Sequence, residues 1–367
     1  MIPFLDLKQA YQELKPQLDA AIQGVLDSGI YILGDEVERF EDEFSAYCSS
    51  SHAVGVANGL DALVMSLRAL NIGPGDEVIV PSNTFIATWL AVSAVGAQPV
   101  PVEPLLSTYN IDPDLLEGAL TPRTKALIAV HLYGQPADLV SLSRFAKQNG
   151  LFLIEDAAQA HGARYRDTRI GAHGDLVCWS FYPAKNLGAL GDGGAVTSDN
   201  AEFIERIRVL RNYGSREKYR NEVLGTNSRL DPIQAAILRV KLKYLDEWNE
   251  RRRQIARYYI RELSNLEIEL PLVPDWAEPV WHLFVIRTQK RSSLQEMLAA
   301  RGISTQIHYP IAPCRQAAYE NSVASSFKQP LAEQISREVL SLPIGPHQSL
   351  HDTKRIVDTV REVSGLL

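Results

Sequence analysis

From about residue 50 the chain alternates short apolar runs with longer amphipathic segments. The runs at 53–56, 77–81, 99–102, 126–131, 152–155, 176–181 and 195–198 have the length of buried strands. Between the first two, Leu60, Leu63, Val64, Leu67 and Leu70 fall on one helical stripe, which predicts a helix packed on a sheet. Strands alternating with amphipathic helices predict an α/β fold, a mostly parallel sheet with helices on both faces. The uncharged stretch 78–102 is long enough for a membrane span, but Pro81, Asn83, Gln98, Pro99 and Pro101 divide it into strand, helix and strand. After Asp231 and Pro232 a run rich in Arg, Glu and Leu, 233–263, is expected to be one long helix leading into a smaller domain. That domain is expected to hold a strand at 282–287, a helix at 293–301, an extended piece at 305–309 and a closing helix from about Leu350. The boundary is placed near residue 245, giving a large domain of 1–245 and a small one of 246–367.

A chain of 367 residues can bury a core in each of two domains. The net charge of −7, with signs interspersed, gives no electrostatic case for nucleic acid or an anionic membrane. Arg251, Arg252 and Arg253 are the local exception and, beside Glu247 and Glu250, read as the solvated face of a helix. Cys48, Cys178 and Cys314 are too far apart for a disulfide framework or a zinc site, and the start of the chain turns polar too soon for a signal peptide. A cytoplasmic protein is expected. His131, His161, His173 and His282 lack metal-ligand spacing and are expected to be structural, so no metal is called for.

Two strand ends carry the candidate chemistry. The run 152–155 leads into Asp156, and ligands of such sheets bind at the carboxyl ends of strands. The run 176–181 leads through Tyr182, Pro183 and Ala184 into Lys185, with Gly188, Gly191, Gly193 and Gly194 following. A lysine held at a sheet edge and desolvated has a lowered pKa and can condense with an aldehyde. Asp156 could equally cap a helix, and Lys185 could be a surface lysine in a flexible loop.

The segment 155–162 (EDAAQAHG), followed by 180–186 (SFYPAKN) and 191–194 (GDGG), resembles the DegT/DnrJ-type sugar aminotransferases. The likeness runs from 4–7 (FLDL) through 225–231 (GTNSRLD) to 307–310 (IHYP), covering essentially the whole chain. The resemblance implies a fold-type I aminotransferase, with a mostly parallel mixed sheet between helices in the large domain and a smaller C-terminal α+β domain. It also implies pyridoxal 5'-phosphate as cofactor and a homodimer with active sites at the subunit interface. In it Lys185 is the Schiff-base lysine and proton shuttle, Asp156 pairs with the ring nitrogen, and Gln159 bonds the ring oxygen. Phe85 stacks on the ring, although ordinary core is an equal reading of that residue. Gly59 and Leu60 supply phosphate-binding amides at a helix start and Ser180 a hydroxyl, while Asn227 reaches in from the neighbouring subunit. Many relatives have threonine at Leu60 and glycine at Ala184.

By the same resemblance glutamate is the amino donor, giving 2-oxoglutarate, and Tyr182, His308 and Tyr309 contact the sugar. Tyr182 and Asp192 fit the branch that aminates C3 of a dTDP-linked 3-keto-6-deoxyhexose; relatives acting at C4 more often carry histidine and glutamate there. The alternatives are C4 amination and a regulatory protein that binds the cofactor without turnover. Retention of Lys185, Asp156, Gln159, Ser180 and Asn227 disfavours the latter. A nicotinamide enzyme is disfavoured because no Gly-x-Gly-x-x-Gly follows an early strand, and a dehydratase because such relatives replace the lysine with histidine.

Overall fold

The seven apolar runs pair side by side in the computed structural model, which describes residues 1–366. They are β1 (His52–Val56), β2 (Glu77–Pro81), β3 (Gln98–Val102), β4 (Thr124–Val130), β5 (Phe152–Asp156), β6 (Leu176–Ser180) and β7 (Gly194–Ser198). Their order across the sheet is β1-β7-β6-β5-β4-β2-β3. The ladders from β3 to β6 are parallel, while β7 runs antiparallel to both β6 and β1. The sheet is therefore mixed and mostly parallel, as the alternation of strands and helices predicts.

Successive residues of each strand feed opposite cores, because side chains alternate across a pleated sheet. The helices are α1 (Leu7–Glu13), α2 (Lys15–Ser28), α3 (Asp35–Tyr47), α4 (Gly59–Ala69), α5 (Ala87–Ala94), α6 (Leu139–Gln148), α7 (Ala201–Leu210) and α8 (Pro232–Leu242). On one face Val78, Val80, Ile128 and Ile154 meet Leu63 and Leu67 of α4, Trp89 of α5 and Ile207 of α7. On the other, Ile79, Leu127 and Leu153 meet Leu142 of α6, while Val177 and Trp179 meet Phe40 and Phe44 of α3 and Leu238 of α8. Phe44 is fully buried, with edge contacts to Trp179 and Phe181 at ring separations of 5.3 Å. This aromatic cluster supports the strand that runs into Lys185.

The run 233–263 is two helices rather than one: α8 stops at Leu242 and α9 (Leu245–Leu263) starts after a turn at Tyr244, whose ψ is −4°. The break has a packing reason. Leu238 and Leu242 stay on the sheet, whereas Ile255, Ala256, Tyr259 and Leu263 turn into a separate core. That core is completed by β8 (Phe284–Arg287), β9 (Val339–Leu342), α10 (Arg291–Ala300) and α12 (Leu350–Ser364), with α11 (Pro330–Glu338) between α10 and α12 in the chain. Ile2 also enters it through a parallel bridge to Ile303.

Arg252 corrects the reading of 251–253 as a solvated face. It is buried, and its guanidinium donates to the carbonyls of Trp281 (3.3 Å) and Ile344 (3.2 Å). Burial lowers its pKa to about 10, and no carboxylate pairs with it among the described residues. Arg251 and Arg253 do pair with glutamates, Arg251 with Glu13 and Glu247, Arg253 with Glu250 and Glu278.

Phe44→Ala removes the centre of the aromatic cluster and should cost about 3–5 kcal/mol of stability, measured as a lower midpoint of chemical denaturation. An unchanged midpoint would mean that the cluster collapses without loss around the cavity.

Candidate functional site

The carboxyl ends of β4, β5 and β6 meet the start of α4 and α5 on one side of the sheet, where Asp156 and Lys185 are brought together. Asp156 is buried at the end of β5. Its Oδ2 accepts from the Thr88 hydroxyl at 2.9 Å and its Oδ1 from the Ala158 amide at 3.2 Å. Burial pushes its pKa up, and these two donors together with the Lys185 charge pull it back.

The chain then turns, closed by Ala160 N–H to Ala157 C=O at 2.9 Å, and places Gln159 on the same side as Asp156. Gln159 Oε1 accepts from the Tyr133 amide at 2.6 Å, and Nε2 donates to the Tyr309 hydroxyl at 3.0 Å. An amide nitrogen carries two protons, so one donor of Gln159 remains free for a ligand. Phe85 is not core: its ring is 52% exposed and lies 5.4 Å from that of Tyr309.

Lys185 stands on a turn in the loop joining β6 to β7, its amide bonded to the Tyr182 carbonyl at 2.8 Å. Desolvation lowers its pKa to about 8, and the negative charge of Asp156 opposes the shift. The neighbouring Asn186 is buried and anchors this loop. Its Nδ2 donates to Asn249 Oδ1 and to the Val280 carbonyl, both at 2.9 Å, and its Oδ1 lies 3.2 Å from His282 Nδ1. Burial and the Lys185 charge hold His161, His282 and His308 below the usual histidine range, so all three are neutral near pH 7.

At the start of α4 the side chain of Asn58 accepts the Asp61 amide at 2.9 Å and its carbonyl the Ala62 amide at 3.0 Å. The amides of Gly59 and Leu60 find no acceptor among the described residues, the arrangement that binds anions at helix N-termini. Ser180 lies alongside, so close that a Cβ on Gly59 would sit 2.6 Å from the serine Cβ. Only glycine fits there. An anion cradle, an exposed aromatic ring, a free amide donor, a buried carboxylate and a lysine of lowered pKa suit a phosphorylated heteroaromatic aldehyde.

The remaining predicted residues divide. Tyr182 is exposed, and His308 Nδ1 bonds Ser341 Oγ at 2.8 Å while its carbonyl accepts from the Tyr133 hydroxyl. Tyr309 joins the site through Gln159 and Phe85. Asn227 does not join it: it is exposed and bridged to Asn212. Thr88, Tyr133 and Asn186 escape sequence reading. The one signal for Thr88 is a second hydroxyl one helical turn after Thr84 in an otherwise apolar stretch.

A model of the DegT/DnrJ/EryC1/StrS aminotransferase family matches residues 12–361. The chain belongs to that family. It is 56% identical to dTDP-3-amino-3,4,6-trideoxy-alpha-D-glucose transaminase of Streptomyces venezuelae, over 98% of this chain and 96% of the relative. It is 54% identical to dTDP-3-amino-3,6-dideoxy-alpha-D-galactopyranose transaminase of Aneurinibacillus thermoaerophilus, over 98% and 99%. The erythromycin biosynthesis sensory transduction protein EryC1 of Saccharopolyspora erythraea is also 54% identical, over 98% and 99%. The crystal structure of S. venezuelae DesV in complex with a ketimine intermediate superposes with a TM-score of 0.97 at 56% identity, covering 99% of this chain and 98% of that one. The fold is thus the fold-type I aminotransferase fold.

In cofactor-free protein the rate of reductive methylation of Lys185, followed by peptide mass spectrometry, should titrate near the pH of about 8 set by its burial. Asp156→Asn should move that midpoint to lower pH, because it removes the charge that favours the ammonium form. A midpoint at the ordinary lysine value would show that the amine is solvated.

Proposed function

We propose that this protein is a pyridoxal-phosphate-dependent aminotransferase that converts a dTDP-linked 3-keto-6-deoxyhexose to the 3-amino-3,6-dideoxyhexose, with L-glutamate as donor. The observation that carries the reading is the convergence of Lys185, the buried Asp156 carboxylate and the Gly59 and Leu60 amides at the carboxyl edge of the sheet, with desolvation lowering the lysine pKa to about 8. The names of the relatives at 54–56% identity support the C3 position and the dTDP-sugar, as does Tyr182 in place of the histidine common in C4 enzymes. The regulatory reading draws on the name of EryC1, but a binder without turnover has little use for Lys185, Asp156 and Gln159 together.

Gly59, Leu60 and Ser180 would hold the phosphate of the cofactor, Phe85 its ring face, Asp156 its ring nitrogen, Gln159 its ring oxygen and Lys185 its aldehyde carbon. Once bound, pyridoxal phosphate supplies an aldehyde for an amine to join and a ring that takes up the electron pair left when the substrate carbon loses its proton. Lys185, near-neutral in pKa, takes that proton and returns it, as a general base and acid must. Asp156 keeps a negative charge facing the ring nitrogen, and the neutral His161, His282 and His308 put no further cation beside Lys185. His308 and Tyr309, with Tyr182, bound the space left for the sugar.

The site lies where residues 1–245, taken as the large domain, meet 246–367, taken as the small one: Gln159 and Tyr133 of the first touch Tyr309 and His308 of the second. A homodimer accounts for the exposed Ile30, Tyr31, Ile32, Val223 and Leu224, which a second copy would cover, and for the exposure of Asn227. Three buried, unpaired cysteines suit the reducing cytoplasm, and among the described residues no helix is long and apolar enough to cross a membrane.

Purified protein loaded with pyridoxal phosphate should lose its visible absorbance on adding glutamate and regain it only on adding a dTDP-3-keto-6-deoxyhexose. Recovery with a 4-keto isomer instead would move the reaction to C4, and no response to any amino donor would favour the regulatory reading. Asn227→Ala should weaken cofactor binding about tenfold, the loss of a charge-assisted hydrogen bond. Mixed dimers with Lys185→Ala should regain one active site of two. Unchanged affinity would remove Asn227 from the partner's site.

A further inference from the structure

A carboxylate that has to stay ionised in a dry site needs hydrogen-bond donors to replace the water it has lost. Asp156 has two, the Ala158 amide on Oδ1 and the Thr88 hydroxyl on Oδ2. Thr88 is fully buried on the first turn of α5, and its oxygen lies 2.9 Å from that of Thr84, which is buried as well. A hydroxyl has a single proton. With the Thr88 proton on Asp156, the Thr84 hydroxyl is the donor in the second link, and no other partner for it is found among the described residues. The chain therefore runs one way, Thr84 to Thr88 to Asp156, each bond polarising the next toward the carboxylate.

We propose that Thr88, with Thr84 behind it, is the positioning residue that keeps the Asp156 carboxylate ionised and turned toward the cofactor's ring nitrogen. The proposal rests on the reading of Asp156 as the partner of that nitrogen. The titratable or charged groups that interact with Asp156 are Lys185, His131, Cys178 and Tyr309; burial raises the pKa of both Cys178 and Tyr309 and keeps them neutral. Among the influences that lower the Asp156 pKa, the Thr88 bond is the largest, ahead of the Ala158 amide and of the Lys185 charge. Two bonds already occupy the carboxylate, one on each oxygen, which leaves its remaining lone pairs for the ligand. Phe85 precedes Thr88 by three residues, so the turn that presents the aromatic face also fixes the carboxylate. Without the Thr88 hydroxyl the carboxylate becomes more basic, and a proton shared with the ring nitrogen shifts onto Asp156.

The test compares the wild type with Thr88→Val, Thr88→Ser and Thr84→Val by equilibrium binding of pyridoxal phosphate and by nitrogen NMR of cofactor labelled at the ring nitrogen. Thr88→Val should bind more weakly, by at most about a hundredfold, the upper limit set by one hydrogen bond to a charged group, with the ring-nitrogen signal moved toward the unprotonated position. Thr88→Ser should restore both readouts, and Thr84→Val should show the same changes at about threefold. Wild-type affinity and nitrogen signal in Thr88→Val, or in Thr84→Val if the first variant does not fold, would overturn the proposal. So would equal impairment of the serine and valine variants, which would make the role one of packing. Wild-type protein that takes up no pyridoxal phosphate would overturn the reading of the whole site, a result distinct from failure of the Thr88 variants to differ.

Discussion

Removing Asp156 and Lys185 from water at the carboxyl edge of one sheet works against the charge on each, and the surrounding structure is built around that cost. Burial drives the acid toward its protonated form and the amine toward its free base. Each charge partly restores the other, yet desolvation wins at both groups. For the lysine this outcome is useful, since an amine with a pKa of about 8 is a nucleophile and a proton acceptor at neutral pH. For the aspartate it is a liability, which the Thr88 and Ala158 donors counter and which a ligand cation would relieve.

The same logic extends to the residues that hold the two groups in place. The Lys185 loop is tied down by neutral hydrogen bonds through Asn186, to the Asn249 side chain and to the Val280 carbonyl. Gln159 is fixed from both sides, by the Tyr133 amide and the Tyr309 hydroxyl. Amides and hydroxyls position the site without adding charge to a region that already has too little water to solvate it. The histidines around Lys185 follow suit, because their burial and the lysine charge both favour the neutral ring.

Much of this was legible in the order of residues. The seven strands lie where short apolar runs predict them, because alternation on a pleat is a local property. Asp156 and Lys185 announce themselves as polar residues at the ends of apolar strands, and Gly59 as a glycine between a strand and a helix. Thr88 was not legible, since a hydroxyl in an apolar helix says nothing about which carboxylate lies across from it. Arg252 misled for a related reason: its neighbours Arg251 and Arg253 find glutamates, while it alone points at the buried carbonyls of Trp281 and Ile344. The break between α8 and α9 was equally hidden, because helical periodicity continues across Tyr244.

The sequence by itself determined the α/β pattern, the family, the lysine and the acid, all of which depend on residue type and short spacing. Tertiary structure decided the strand order that sets Asp156 beside the Lys185 loop, the depth of burial that moves both pKa values, and the hydroxyl chain behind the carboxylate. These depend on contacts between residues far apart in the chain, Thr88 with Asp156 and Asn186 with Asn249 among them. Desolvation is a property of everything packed around a group, so no local stretch of sequence can encode it.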